Sequence, residues 1–111
     1  MKLLVAPVVA LISACAVWPA GSDPRGRELK ANGEAVLTAL ARYQQQHGRF
    51  PTSLAELAPS YLPAVPARPE LRFNPVLGSV SFVYSPSWPQ SGQVSCSAEV
   101  GAAEWSCHGY I

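Results

Sequence analysis

Helical spacing of apolar residues marks the N-terminal half of the chain. The positions that would form one buried helix face are Leu29, Gly33, Val36, Leu37, Leu40 and Tyr43. Asp23 is suited to cap this helix and Pro24 to occupy its first position, while Gly48 is a typical C-terminal stop. Ser53 and Glu56 then form a capping-box pattern. The pattern predicts one long helix followed closely by a short one.

A period-two alternation of apolar and polar residues marks the C-terminal half. It predicts short strands near residues 71–73, 80–84, 94–96 and 105–107. Residues 75–78 are the predicted turn between the first two strands. Eight prolines between residues 51 and 89 predict a surface connection there, with Tyr61 and Leu62 facing inward. The predicted fold class is α+β: one long N-terminal helix packed on a small antiparallel sheet of three or four strands.

The start of the chain does not belong to this pattern. Lys2 is the only charged residue before Asp23, and residues 3–11 are apolar apart from a break at Pro7. A charged start followed by a short apolar run is the layout of an export signal. The run continues to about Trp18, whereas a membrane-spanning helix needs roughly 20 apolar residues. A spanning anchor is therefore an alternative, though a short one.

The apolar run contains a four-residue motif, Ile12-Ser13-Ala14-Cys15. It resembles the lipobox of bacterial lipoproteins, in which an aliphatic residue and two small residues precede a cysteine. In that family the cysteine thiol receives a diacylglycerol, the signal is cleaved just before it, and the new amino terminus is acylated. The resemblance implies a signal peptide over residues 1–14, a lipidated tether over residues 15–22 and a folded domain over residues 23–111.

An ordinary export signal is the alternative, because residues 14–16 also satisfy the small-x-small rule for cleavage. The lipoprotein interpretation is preferred since it explains an odd cysteine in an exported chain. Loss of Lys2 with the signal leaves seven basic and seven acidic residues, so net charge predicts no attraction to nucleic acid or to an anionic surface. Ala16 follows the modified cysteine, which by comparison with lipoproteins lacking Asp there implies the periplasmic face of the outer membrane.

Two cysteines remain once the first is lipidated, and an oxidising compartment favours a disulfide between Cys96 and Cys107. Folding the chain back at Gly101-Ala102 sets them opposite each other in a hairpin. That register also sets Glu99 opposite Glu104 and puts the cysteines at a widely spaced, hydrogen-bonded pair. A longer loop or a bulge is therefore an alternative. A redox-active or metal-binding pair is disfavoured, since neither Cys-x-x-Cys nor clustered histidine is present.

A second resemblance lies between the long helix and the predicted sheet. It rests on Tyr43, Gly48-Arg49-Phe50-Pro51, Leu54-Ala55-Glu56-Leu57 and Pro59-Ser60-Tyr61-Leu62-Pro63. These residues resemble the junction after the long helix of type II secretion pseudopilins and type IV pilins, where a C-terminal disulfide is also common. Pilins begin with a hydrophobic helix preceded by Gly and bearing a Glu. Here the apolar run holds a lipobox instead, so the resemblance implies a pilin-like head on a lipid anchor that does not polymerise as a standard pilin.

The polar residues show no recognisable catalytic pattern. Asp23 is the only Asp, His47 lies at a predicted helix end, and His108 is near the C-terminus. No acidic residue lies at a catalytic spacing from either histidine, although a Ser–His–acid triad can assemble from distant residues. We therefore expect no enzyme, no cofactor and no metal site.

Most aromatic residues are expected in the core, namely Tyr43, Phe50, Phe73, Phe82, Tyr84 and Trp105. Trp88 differs, because it lies between two prolines in a loop over residues 85–91. It is expected either to contact a protein partner or to cover the sheet edge as a lid. The sequence thus predicts a non-enzymatic envelope lipoprotein, held to the membrane by its lipid, that is a structural or accessory component of an envelope, secretion or pilus-related assembly. The alternative is a small periplasmic binding or inhibitor module that uses Trp88.

Overall fold

A computed structural model describes residues 18–110, with the backbone alone at residue 110. The elements are helix α1 (Pro24–His47), a short 3-10 helix (Leu54–Leu57), and strands β1 (Arg72–Asn74), β2 (Ser79–Tyr84), β3 (Gln93–Glu99) and β4 (Ser106–Tyr110). The predicted signal peptide and the predicted lipidation site, Cys15, lie outside the described residues.

Helix α1 begins and ends where the sequence predicts. Asp23 is the N-cap and accepts a hydrogen bond from the Gly26 N–H at 3.4 Å. Gly48 has left-handed backbone geometry with φ of 72°, and its N–H donates to the Gln44 carbonyl at 2.8 Å. Both ends therefore satisfy backbone groups that a helix leaves unpaired.

The four strands form one antiparallel sheet in the order β1-β2-β3-β4, so each strand pairs with its neighbour in sequence. Every predicted strand is present, with bounds shifted or extended by a few residues. The predicted turn joins β1 to β2, and the Gly78 N–H closes it on the Asn74 carbonyl at 2.8 Å. The Asn74 side chain also accepts hydrogen bonds from the N–H groups of Val76 and Leu77.

The core lies between α1 and one face of the sheet. The helix contributes Val36, Leu37, Ala39, Leu40 and Tyr43, and the strands contribute Val80, Phe82, Tyr84, Val94, Cys96 and Ala98. The alternating burial along β2 and β3 follows from the period of two that a strand imposes on its side chains. The predicted α+β class, with one helix on an antiparallel sheet, is confirmed.

A close approach of β2 explains the glycine in the first turn of α1. A Cβ atom at Gly26 would lie 2.2 Å from the Tyr84 hydroxyl oxygen and 2.7 Å from the Gly21 carbonyl oxygen. Intrinsic propensity counts a helical glycine as about 1 kcal/mol worse than alanine. Glycine lowers the helix propensity at this position, but it leaves the space that the Tyr84 hydroxyl needs to reach the N-cap residue, Asp23.

We expect Gly26→Ala to lower the free energy of unfolding by about 1–3 kcal/mol, because the added methyl group displaces Tyr84. Urea denaturation measures the change. As a control, Ala35→Gly at an exposed position of the same helix should cost about 1 kcal/mol through propensity alone. A Gly26→Ala variant that is more stable than the wild type would show that the close contact is unimportant.

The disulfide joins the last two strands. Cys96 in β3 is paired with Cys107 in β4, and their Cα atoms are 4.0 Å apart. Both the bond and the predicted register are confirmed. The separation is near the ~4.5 Å of a non-hydrogen-bonded pair, so the expectation of a hydrogen-bonded pair at ~5.5 Å is wrong.

The connection between β3 and β4 is longer than the predicted two-residue turn. Strand β3 ends at Glu99 and β4 begins at Ser106, so the expectation of strand structure at Trp105 is wrong. Trp105 turns towards α1 instead, and its Nε1–H donates to the Glu34 carboxylate at 3.2 Å. Because pairing of β3 with β4 stops at Ser106, Glu99 is not held opposite Glu104. The longer loop removes the unfavourable contact.

Replacing both bonded cysteines, Cys96→Ala/Cys107→Ala, should lower the free energy of unfolding by about 3 kcal/mol, as expected for a bridge that closes a short loop. A reducing agent should produce a similar loss in the wild type and none in the double variant. Equal urea midpoints for the oxidised wild type and the double variant would contradict a stabilising role for the bridge.

Candidate functional site

The start of α1, the end of β2 and the loop that follows β2 meet around one carboxylate. The Asp23 side chain is only 1% exposed. One of its oxygens accepts a hydrogen bond from the Tyr84 hydroxyl. The other accepts from the Ser87 N–H at 2.8 Å and the Ser87 hydroxyl at 2.9 Å, besides the Gly26 N–H. One cap residue therefore joins the helix to segments 61 and 64 residues away in sequence.

The ionisation of this group follows from its contacts. Burial raises the pKa of the Asp23 carboxyl, but the hydrogen bonds from Tyr84, Ser87 and Gly26 together outweigh burial and bring the pKa below its ordinary value. Burial and the neighbouring carboxylate raise the pKa of the Tyr84 phenol well above its ordinary value. Asp23 is therefore an ionised acceptor and Tyr84 a protonated donor at neutral pH, and both are occupied with each other.

Residues 85–92, between β2 and β3, are termed the Trp88 loop. On one side of Trp88, Ser87 is bound to Asp23, and on the other the Gln90 side-chain amide donates to the Trp18 carbonyl at 3.1 Å. Between these two attachments the Trp88 side chain is 88% exposed. The ring does not cover the sheet edge, so the lid interpretation is wrong. A contact between Trp88 and a partner stays a prediction.

The segment before α1 packs on the domain next to this loop. Ala20 contacts the cluster that contains Cys96, and a Cβ at Gly21 would lie 2.5 Å from the Cys107 sulfur. Gly21 is also at φ of 83°, a backbone conformation that side chains disfavour. The folded part of the chain therefore begins before Asp23, within the residues that the sequence assigns to the tether.

A second set of polar side chains lies at the opposite end of α1. An open groove of about 550 Å³ is lined there by Arg42, Tyr43, Gln46, His47, Glu56, Ser60 and Tyr61. The Tyr43 hydroxyl donates to Glu56 at 3.1 Å, and the Tyr61 hydroxyl donates to Gln46 at 2.5 Å. These side chains therefore bind one another across the junction between α1 and the 3-10 helix.

The predicted capping box belongs to the same junction. The Glu56 carboxylate accepts hydrogen bonds from the Thr52 hydroxyl, from the Thr52 N–H at 2.9 Å and from the Ser53 N–H at 3.3 Å. The bonds from Thr52 are the main reason that the pKa of Glu56 is lowered. The junction is thus held by local hydrogen bonds, and its polar groups have structural partners.

The two histidines lie far apart in the fold and have different partners. The His108 ring nitrogen is 3.3 Å from the Ser106 hydroxyl, and the His47 ring nitrogen is 3.2 Å from the Tyr61 hydroxyl. Within residues 18–110, no carboxylate hydrogen-bonds to either ring and no three His, Cys, Asp or Glu residues come together as a metal site. The expectation that the chain is not an enzyme stays a prediction.

The described part of the chain also contains no helix with the length and hydropathy needed to cross a bilayer. Comparison with protein-family models, with curated proteins and with solved structures finds no match.

Sequence reasoning found Asp23 as a helix cap and Trp88 as a loop residue but missed what connects them. The partners of Asp23, Tyr84 and Ser87, are distant from it in sequence. The one signal available from the sequence was a tyrosine on β2 that faces inward and can donate to the only Asp of the chain. Sequence reasoning also missed the exposure of Val76 (86%) at the β1–β2 turn.

We expect Asp23→Asn to lower the free energy of unfolding at neutral pH by about 2 kcal/mol, because the amide replaces an ionised acceptor of several hydrogen bonds. The pKa of Asp23 is lowered in the folded state, so its contribution is present above the unfolded pKa of about 3.9 and is lost as pH falls through the folded value. The stability difference between wild type and variant should therefore shrink as the pH falls below about 5.

Urea denaturation at several pH values tests this expectation. Glu56→Gln is the matched control, since its carboxylate also has a lowered pKa but lies at the other end of α1. Each single variant should retain part of the pH dependence of the free energy of unfolding at acid pH. The Asp23→Asn/Glu56→Gln double variant should lose most of it. A difference between wild type and Asp23→Asn that stays constant over this pH range would contradict the role given to the Asp23 charge.

Proposed function

We propose that the chain is an exported, non-catalytic lipoprotein, anchored in the bacterial envelope through an acylated Cys15, whose α+β domain is an accessory part of an envelope assembly. The observation that carries the proposal is the Cys96–Cys107 disulfide. It accounts for two of the three cysteines and leaves Cys15, within the lipobox pattern, as the remaining thiol. A disulfide is also typical of chains that fold outside the cytoplasm.

The pilin-like part of the proposal is supported by the order of the elements. A long helix leads through the Gly48-Arg49-Phe50-Pro51 junction into an antiparallel sheet with a disulfide near its C-terminal end. The Phe50 ring packs against Gly78 at the β1–β2 turn, which brings the junction onto the sheet. In pilins the hydrophobic helix builds the subunits into a filament. An acylated cysteine in place of that helix would tether each head to the membrane individually.

An accessory role predicts contact with another protein at the end of the domain away from the anchor. The β1–β2 turn lies at that end, and its residues Val76 and Leu77 are 86% and 56% exposed. The two side chains are adjacent in sequence and form a small apolar surface that a partner protein can bury. This tip is the surface that we assign to the envelope partner.

Metabolic labelling with a palmitate analogue tests the anchor. We expect the wild-type protein to carry the label and to fractionate with membranes, and Cys15→Ser to lose both properties. The Cys96→Ala/Cys107→Ala variant is the matched control, since it removes two thiols but should keep the label. An exported wild-type protein without label would overturn the lipoprotein proposal.

The accessory role is tested separately, by the size of the particle that a mild detergent extracts from the envelope. We expect the acylated wild type in a complex larger than one domain with its micelle, and Leu77→Asp in the single-domain fraction at unchanged stability. A wild type that extracts as the single domain would contradict the assembly while leaving the anchor intact.

A further inference from the structure

We propose that the Trp88 loop is a membrane-contact site, in which Trp88 inserts into the headgroup region of the bilayer that holds the lipid anchor. The inference rests on the proposed function, because it takes acylation of Cys15 as given. It adds that the domain is held against the membrane in one orientation, with the N-terminal end of α1 facing the lipid.

Covalent reach brings this loop to the membrane. Gln90 in the loop is hydrogen-bonded to Trp18 at 3.1 Å, and Trp18 is three residues after Cys15. Three residues of extended chain span at most about 11 Å. Since Trp88 is two residues from Gln90, the loop cannot be carried far from the acylated residue. The tether is too short to let the domain stand clear of the headgroups.

The residue type and its setting fit a bilayer interface. Tryptophan is enriched at the level of the headgroups, where its ring meets both apolar chains and water. The Trp88 side chain is 88% exposed, yet its neighbour Ser87 is fixed by two hydrogen bonds to the buried Asp23. A loop that is already ordered loses little conformational entropy when its exposed ring is buried in another phase.

Local charge is also complementary to anionic headgroups, although the net charge of the mature chain is zero. The first turn of α1 contains no acidic side chain, and the exposed Arg25 and Arg27 lie in its first four residues. The nearby Asp23 carboxylate is buried under its hydrogen-bond donors. Glu28 and the ionised Asp23 balance the two arginines in net charge, so the complementarity comes from the exposed positions of Arg25 and Arg27. Two arginines at a helix N-terminus are unfavourable for the helix dipole, and anionic lipid would offset that cost.

The opposite end of the domain supplies a matched control. The exposed Leu77 at the β1–β2 turn lies beyond the far end of β2 from Tyr84, and the two ends of this six-residue strand are about 17 Å apart. A domain oriented by the Trp88 loop therefore keeps Leu77 out of the membrane.

Fluorescence quenching tests the proposal on the acylated protein extracted from envelopes and reconstituted into vesicles. The vesicles contain phosphatidylglycerol and phosphatidylcholine that carries bromine atoms on the upper acyl-chain carbons. The emission of wild type minus that of Trp88→Phe reports Trp88 alone. The emission of Leu77→Trp/Trp88→Phe minus that of Trp88→Phe reports position 77.

We expect the Trp88 emission to shift to the blue and to lose most of its intensity on brominated vesicles, and the emission from position 77 to change little. Arg27→Gln should lower the ratio of quenched to unquenched Trp88 by about fivefold with phosphatidylglycerol present, and leave it unchanged without it. Membrane-bound protein with unquenched Trp88, or with equal quenching at both positions, overturns the membrane contact and leaves the anchor standing. Protein that does not float with the vesicles overturns the anchor and the contact together.

Discussion

The structure depends most on the carboxylate of Asp23. It caps α1, accepts the Tyr84 hydroxyl from the end of β2 and holds Ser87 at the base of the Trp88 loop. A buried carboxylate is costly unless its oxygens are fully hydrogen-bonded, and here the cost is met by donors from three separate segments. Helix, sheet and loop are therefore fixed relative to one another at the end where the chain enters the domain.

The disulfide acts on the same end through packing. Cys107 lies against Gly21, so the bond that ties β3 to β4 also forms part of the surface on which the entering segment rests. An entering segment that packs on the domain restricts the orientation of the domain relative to the chain before it. A flexible linker would let the domain rotate freely. The packed entry segment and the Ser87–Asp23 hydrogen bonds are the structural basis of the proposed orientation at a membrane.

Local patterns explain why so much of the fold is predictable. The bounds of α1 depend on residues adjacent to its ends, namely Asp23, Pro24 and Gly48, and the register of β3 against β4 follows from the two cysteines and the chain reversal between them. The Asp23–Tyr84 contact is different, since it joins residues 61 positions apart and has no short-range pattern. The same applies to Trp105. The alternation of apolar and polar residues predicts a strand there, but the Trp105 indole donates a hydrogen bond to Glu34 on α1. Likewise, the sequence predicts a loop at Trp88 but does not show at which end of the domain this loop lies.

The intact mass of the mature protein, purified from its native envelope, tests the central claim most directly. The account predicts a chain that begins at Cys15, heavier than its sequence by the mass of the attached acyl groups and lighter by the two hydrogen atoms lost in the Cys96–Cys107 bond. A protein that begins at Met1 and carries three free thiols would contradict the anchor, the compartment and the envelope role.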